Sequence, residues 1–394
     1  MTNRPGKINR RQTLAAFASA SVAAASQARG TGNGGQGPAP PGVGAARGAS
    51  GAYYACALQF RVDAVNRDTS TVSARARMRA SIARVGQQLR GAKSWIGADL
   101  ELVVLPEYTL TGFPTRESIP EWLDKAVLTI DGPEYTALAE IAQGNAVFLA
   151  GSSYEADPKF PGIFFQCAWV IDPAGKVVLR YRRLISTLVP SPHDVWDAYL
   201  DAYGIDGVFP VAGTRIGNLA AIASEEILYP EIARCHAVRG AELFLHSSSE
   251  AYTVTAPPKR IARLARAMES LAWVISANTA GIDNIDISID SANGGSVIVD
   301  HLGNTVVAAG QGETMTANAR IDLPGLREYR RRSGMGNLLS RLPYDAFQAG
   351  IGGLDFRRKN GLLKNGQVVV PGRGYFREQQ ADTLARLVAA GVIV

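Results

Sequence analysis

A layered α/β fold is what this sequence predicts, and three observations carry the prediction. Short apolar runs of strand length alternate with segments that repeat apolar residues at helical spacing, through the whole body of the chain. Gly, Pro, Asn and Asp punctuate the joints between them. The 394 residues, 46% hydrophobic and 19% charged, suffice to bury a large core in one large domain or two small ones.

The elements follow in order. Tyr53 to Arg61 (YYACALQFR) reads as the first strand. Met78, Ile82, Val85 and Leu89 then share one helix face, with Gly91 as the expected stop. Leu100 to Leu105 (LELVVL) forms the second strand and runs into Pro106-Glu107-Tyr108. Pro133 opens a helix that Gly144 closes, and Ala146 to Ala150 is another strand. Phe164 to Ile171 and Lys176 to Tyr181 flank the turn Asp172-Pro173-Ala174-Gly175 and read as a hairpin. Residues 184–210 are aromatic and lack a clear period, so a long irregular segment of the kind that carries function is expected there. The apolar run Asn218 to Ala223 ends at Ser224-Glu225-Glu226, and Pro230 starts a helix toward Arg239 with Gly240 at its end. Glu242 to His246 is the next strand. A helix from Pro258 is expected to turn Ile261, Leu264, Met268 and Leu271 inward. Trp273 to Ala277 and a hairpin from Ser296 to Ala308 around His301-Leu302-Gly303-Asn304 complete the core.

The ends differ in kind from this body. Arg10-Arg11 leads into the Ala/Ser-rich apolar stretch Leu14 to Ser26, with the small residues of Ser26-Gln27-Ala28 where a signal peptidase would cut. Residues 1–28 thus resemble a bacterial twin-arginine signal, which predicts an exported or periplasmic protein. Gly, Pro and Ala dominate residues 29–50, the composition of a flexible tether. The folded body is expected at residues 51–325, followed by an Arg-rich extension over 326–394 that includes Arg330-Arg331-Arg332, read as a solvated or subunit-contacting face.

Composition narrows the function classes. The net charge of +6 comes from scattered arginines with no basic face interleaved with aromatics, so no nucleic acid partner is expected. Without a run of about eighteen apolar residues, no stable membrane insertion is expected after processing. Cys56, Cys167 and Cys235 cannot all pair and lack CxxC spacing, so buried free thiols are expected. His193, His236, His246 and His301 show no ligand spacing, and neither metal nor cofactor is expected.

Three segments carry the chemistry. Leu102 to Glu107 with Gly112-Phe113-Pro114 places a carboxylate at a strand tip; Gly175 to Arg183 is the hairpin ending Tyr181-Arg182-Arg183; Ser224 to Glu231 turns from a strand into a helix. In order and local form these resemble the nitrilase superfamily of carbon-nitrogen hydrolases. Weaker similarity extends through Arg239 to Glu242, Trp273 to Asn278 and Gly294 to Asp300, covering roughly residues 52–325. The resemblance implies a single-domain, four-layer αββα sandwich that often pairs into a homodimer or higher homo-oligomer. It also implies a trio of general base, lysine and cysteine nucleophile. Here Glu107 stands at the base position, Arg183 replaces the lysine and Ser224 replaces the cysteine. Asp194, after Pro190-Ser191-Pro192-His193, is a further candidate for the second glutamate the family often adds.

Covalent amide hydrolysis needs a nucleophile, a group that takes its proton, and positive charge or N–H donors for the oxyanion. Ser224 is the expected nucleophile and Glu107 the expected base. A guanidinium does not give up its proton, so the role of Arg183 narrows to electrostatics and positioning. Serine must lose its proton during attack and lacks the soft, ionised sulfur that favours attack on a nitrile. The expected substrate is therefore a small non-peptide amide rather than a nitrile, with Glu225 and Asn278 as substrate-binding candidates. The alternative is a catalytically inactive relative that binds a small ligand or serves a structural role.

Overall fold

The computed structural model describes residues 51–253, 255 and 257–394. The predicted export signal and tether lie outside the described residues. Two large sheets make up the body. The first runs Asn318–Ile321, Tyr53–Ala57, Leu100–Val104, Phe148–Ala156, Phe164–Ile171, Val177–Arg182 from edge to edge, with the short strand Leu128–Thr129 also pairing on Phe148–Ala156. The second runs Thr305–Ala308, Val297–Val299, Trp273–Asn278, Leu243–Ser248, Gly217–Ala223, Ala212–Thr214. Each has a parallel centre and antiparallel margins.

Strand alternation sorts the core into layers. In the first sheet Ala55, Ala57, Leu102, Val104 and Ala150 face one cluster together with Leu219, Leu245, Ile275 and Ile298 of the second sheet. Their chain neighbours Cys56, Val103 and Leu149 join Met78, Ile82, Val85 and Leu89 of the helix Thr71–Ile96 on the outer side. A period of two along the strand meeting a period near 3.6 along the helix produces this sandwich of sheets with helices outside. The αββα architecture expected from the sequence is the one observed.

Three local expectations are corrected. Gly91 does not stop its helix, which continues to Ile96 and ends where Gly97 takes a φ of 111°. An added Cβ at Gly91 would meet nothing, so this position costs only propensity, whereas Gly97 sits where the left-handed region is needed. Residues 184–210 contain the helix Trp196–Val208, kinked at Gly204. Its tyrosines Tyr199 and Tyr203 pack against Phe160 rather than forming a regular stripe, which is why no period showed. The helix Pro258–Ser270 buries Ala262, Arg263, Arg266, Ala267 and Ser270, while Ile261 and Met268 are exposed. Arginine heads are accepted inside because Arg263 meets Glu250 and Ser248 Oγ, and Arg266 donates to the Ile227 carbonyl at 3.0 Å.

The extension past residue 326 packs back on its own chain. Arg327 makes a bidentate pair with Glu242, and Arg330 donates to the carbonyls of Leu271 and Ala241, so Arg330 belongs to the fold rather than to a solvated run. The terminal helix Tyr375–Ala389 brings Tyr375 and Gln379 to Asp194, each at 3.0 Å. Asp194 is thereby a buried anchor for this helix and not a catalytic carboxylate.

Candidate functional site

The tips of the two sheets are stitched to each other. Ser247 Oγ donates to the Leu105 carbonyl at 2.8 Å, the Glu107 amide donates to the Ser248 carbonyl at 3.3 Å, and Thr279 Oγ1 donates to the Glu107 carbonyl at 3.1 Å. Parallel strands end side by side at these tips, where open α/β folds place their ligands. Around them a cavity of about 190 Å³ is lined by Tyr108, Gln166, Arg183, Ser224, Glu225 and Lys259, with Tyr154 and Ser249 beside them.

Ser224 follows the last residue of the strand Gly217–Ala223 and has a φ of 48°. A non-glycine residue in this region is costly, by roughly 1–3 kcal/mol, and it turns the side chain out of the strand direction at the start of the 3₁₀ turn Ser224–Leu228. His246 fixes the turn from behind: Nε2 lies 2.8 Å from the Ser224 carbonyl, and Nδ1 lies 2.8 Å from Ser276 Oγ. Burial holds this imidazole well below its ordinary pKa, so it is neutral and donates one proton to the carbonyl. Both ring nitrogens of His246 thus have partners.

Arg183 comes from the end of the hairpin. Its neighbour Arg182 points the other way, into Glu155 and Asp157, as alternation along a strand requires. The Arg183 guanidinium spends its donors on the Ile185 carbonyl at 2.6 Å, Gln166 Oε1 at 2.9 Å and Glu225, and it lies 3.8 Å from Glu107 Oε1. Burial works against its charge, yet Glu107 and Glu225 together raise its pKa above the ordinary value. It is a permanent cation here.

Glu107 is wholly buried, accepts a 2.7 Å hydrogen bond from Gln166 Nε2 through Oε1, and leaves Oε2 without a partner. Burial first, and the Glu107 charge second, hold the phenols of Tyr108 and Tyr154 well above their usual range, so both present protonated hydroxyls. Glu226 points away from the cavity. It accepts from the amides of Leu184 and Ile185 and from Tyr181, pinning the start of the 184–210 segment to the serine turn. Burial pushes its pKa up to about 7 against Arg183 and these three donors.

Glu107, Arg183, Ser224 and Glu225 therefore converge. Asn278 does not. Its amide donates to the Glu250 and Gly294 carbonyls and accepts from the Glu250 amide, which saturates it as a scaffold residue. Lys259 is the member that sequence reasoning missed: its Nζ stands 3.4 Å from Ser224 Oγ and 3.4 Å from the Ser249 carbonyl. Gln166 was also missed, although a glutamine inside the run FFQCAWVI was a visible signal. Among the described residues no cluster of three or more His, Cys, Asp or Glu is placed to hold a metal ion, and no helix is long and apolar enough to cross a membrane.

The model of the carbon-nitrogen hydrolase family matches residues 75–331, well over half of the chain. The chain belongs to the carbon-nitrogen hydrolase family. It is 27% identical over 239 residues to a formamidase of Bacillus cereus, covering 60% of this chain and 68% of that one. A carbon-nitrogen hydrolase from Helicobacter pylori has the same fold with a TM-score of 0.59 at 22% identity, over 76% of this chain and 98% of that one. So does an alanine-for-cysteine mutant of the amidase from Nesterenkonia sp. AN1 in complex with butyramide, with a TM-score of 0.54 at 17% identity over 75% and 96% of the two chains. The family and the fold expected from the three motifs are those found.

Proposed function

We propose that this family member hydrolyses the carbon–nitrogen bond of a small non-peptide amide through a covalent acyl-serine intermediate on Ser224. The observation that carries the reading is Ser224 itself, held at positive φ at a strand tip in a polar cavity. Arg183 supplies fixed positive charge beside the position of the oxyanion, and the backbone N–H of Glu225 is the nearest-in-chain second donor. Glu107, buried next to Arg183, acts as the acid–base group for the departing amine and the hydrolytic water. The cavity volume of about 190 Å³ suits short acyl groups. The formamidase relatives and the amidase with bound butyramide support the amide class. Release of ammonia from formamide, acetamide and butyramide by the purified protein tests this. Turnover no higher than that of Ser224→Ala on all three would remove the reading in favour of a ligand-binding relative.

Export and self-association are proposed alongside. Arg10-Arg11 before the apolar stretch Leu14 to Ser26 supports twin-arginine export. A processed periplasmic form is expected for the natural sequence, with unprocessed chain retained inside for Arg10→Lys/Arg11→Lys; equal processing of both would count against it. Leu228, Tyr229, Ile261 and Met268 are all exposed, on neighbouring turns and helices, and support a homodimer joined through this face. Sedimentation at micromolar concentration is expected at twice the chain mass, and a single-chain mass would refute the pairing.

A further inference from the structure

Serine chemistry leaves one proton unaccounted for. Attack by Ser224 Oγ requires a neutral or anionic acceptor touching the hydroxyl, and the two groups expected at the family positions do not supply it. Arg183 keeps its proton at any working pH. Glu107 is engaged through Oε1 with Gln166 and lies beside Arg183, and although its Oε2 is unpartnered, neither oxygen is hydrogen-bonded to Ser224 Oγ. Among the described residues the side-chain hydrogen bond recorded for Ser224 Oγ is with Lys259 Nζ, at 3.4 Å. The separation is at the long end, as nucleophile–base contacts are before substrate tightens them.

The fold holds Lys259 there by construction. Pro257 and Pro258 open the helix directly after the 249–257 segment, so Lys259 projects from its first turn. One turn further on, Arg263 is buried and bound to Glu250 and to Ser248 Oγ, anchoring the helix to the strand tip next to Ser249. Among the described residues Lys259 Nζ finds only the Ser249 carbonyl and the Ser224 hydroxyl within hydrogen-bonding reach, with no carboxylate paired to it. The charged and titratable groups around it are Arg260 and Arg263 on its own helix, Glu225 and Arg183 across the cavity, His246 behind the serine turn, and Glu250 on the preceding segment.

We propose that Lys259 is the proton acceptor of the nucleophile, forming a Ser224–Lys259 dyad that replaces the thiol chemistry the serine cannot perform. This rests on the acyl-serine reading above and deepens it. In acylation the Ser224 Oγ–H proton passes to the Lys259 Nζ lone pair as the Oγ–carbon bond forms and the carbonyl electron pair moves onto oxygen. Collapse of that oxyanion re-forms the carbonyl and breaks the carbon–nitrogen bond, and the leaving nitrogen takes a proton from Glu107, departing as ammonia or an amine. Water then adds to the acyl-serine ester as its proton returns to Glu107, and the Ser224 oxygen leaves with the proton held on Lys259 as the carboxylic acid is released, restoring both groups. The sum is amide plus water to acid plus amine. A lysine does this and an arginine does not, because only the ammonium gives up its proton.

The test uses 4-nitrophenyl acetate as the acylating probe, with the burst of nitrophenolate and the acetyl mass on the Ser224 peptide as readouts. Lys259→Met and Lys259→Arg are each expected to slow Ser224 acylation by about 10²–10⁴-fold. The same Lys259→Met change placed on Ser224→Cys is expected to cost less than about tenfold, since a thiol ionises without a contact base. That double variant also shows that the cavity survives loss of the lysine. If Lys259→Arg acylates within about threefold of the natural protein, the lysine contributes charge alone and the base role is overturned. If Lys259→Met slows the serine and cysteine forms equally, the effect is structural and the proposal is again overturned. A natural protein whose burst persists in Ser224→Ala overturns the nucleophile reading and the dyad with it, an outcome distinct from either failure of Lys259.

Discussion

Ser224→Ala is expected to lower amide turnover by about 10⁴-fold or more, the scale seen when a serine nucleophile is removed, while unfolding within about 1 kcal/mol of the natural protein. The stability expectation follows from what the side chain does. Among the described residues its hydroxyl bonds to the Lys259 side chain, at 3.4 Å, and the bond from His246 to the Ser224 carbonyl does not depend on it. Ser224→Gly separates strain from chemistry. Turnover is expected to fall as far, but a residue without Cβ relaxes at a φ of 48°, so stability is expected to rise by roughly 1 kcal/mol. Ser224→Cys is expected to keep amide hydrolysis, since a thiolate beside Arg183 needs less help than an alkoxide. Ammonia release, with urea unfolding on the same samples, reads both effects. A Ser224→Ala protein retaining even a tenth of the natural rate would sink the covalent mechanism.

Much of this site was legible because it sits where periodicity is strong. The strand run Leu102-Val103-Val104 marks a tip, so Glu107 could be placed at it; the apolar run before Ser224 does the same on the other sheet. That the two tips meet follows from packing of sheet on sheet, which a single sequence implies through resemblance but does not display. Lys259 was illegible for a specific reason. Helical spacing in the segment after Pro258 pointed to Ile261, Leu264 and Met268 as the buried stripe, which would have turned the opposite face to solvent. The structure exposes Ile261 and Met268 and buries Arg263 and Arg266, because Ser248 Oγ, the Ile227 carbonyl of the serine turn, Glu250 and Glu269 meet their heads. Hydrophobic pattern alone does not foresee a face held by ion pairs. Asn278 fails in the opposite sense. A polar residue at a strand tip reads as a ligand contact, but its amide is consumed by the backbone of two neighbouring loops. Gly91 shows the limit of local signals too, since glycine permits a helix end without imposing one.

Arg183→Met is expected to cost about 3–5 kcal/mol of stability as well as activity, the range for removing one partner of a buried ion pair. Arg183 is 7% exposed and Glu107 is 0% exposed, so neither gains much from water when the other is lost. Deleting the guanidinium leaves Glu107 dependent on neutral donors such as Gln166 Nε2, takes from Gln166 Oε1 its Arg183 donor, and frees the Ile185 carbonyl at the start of the 184–210 segment. Glu225 loses its partner as well, but at 36% side-chain exposure it finds water and contributes little to the loss. The double variant Arg183→Met/Glu107→Gln separates the terms. With no buried carboxylate to neutralise, it is expected to recover more than half of the stability lost in the single variant, while amide turnover stays absent because both the fixed cation and the acid–base carboxylate are gone. Guanidinium unfolding of the natural protein, both single variants and the double variant closes the cycle. If Arg183→Met costs less than about 1 kcal/mol, or if Glu107→Gln restores nothing, the two residues are not coupled in the fold.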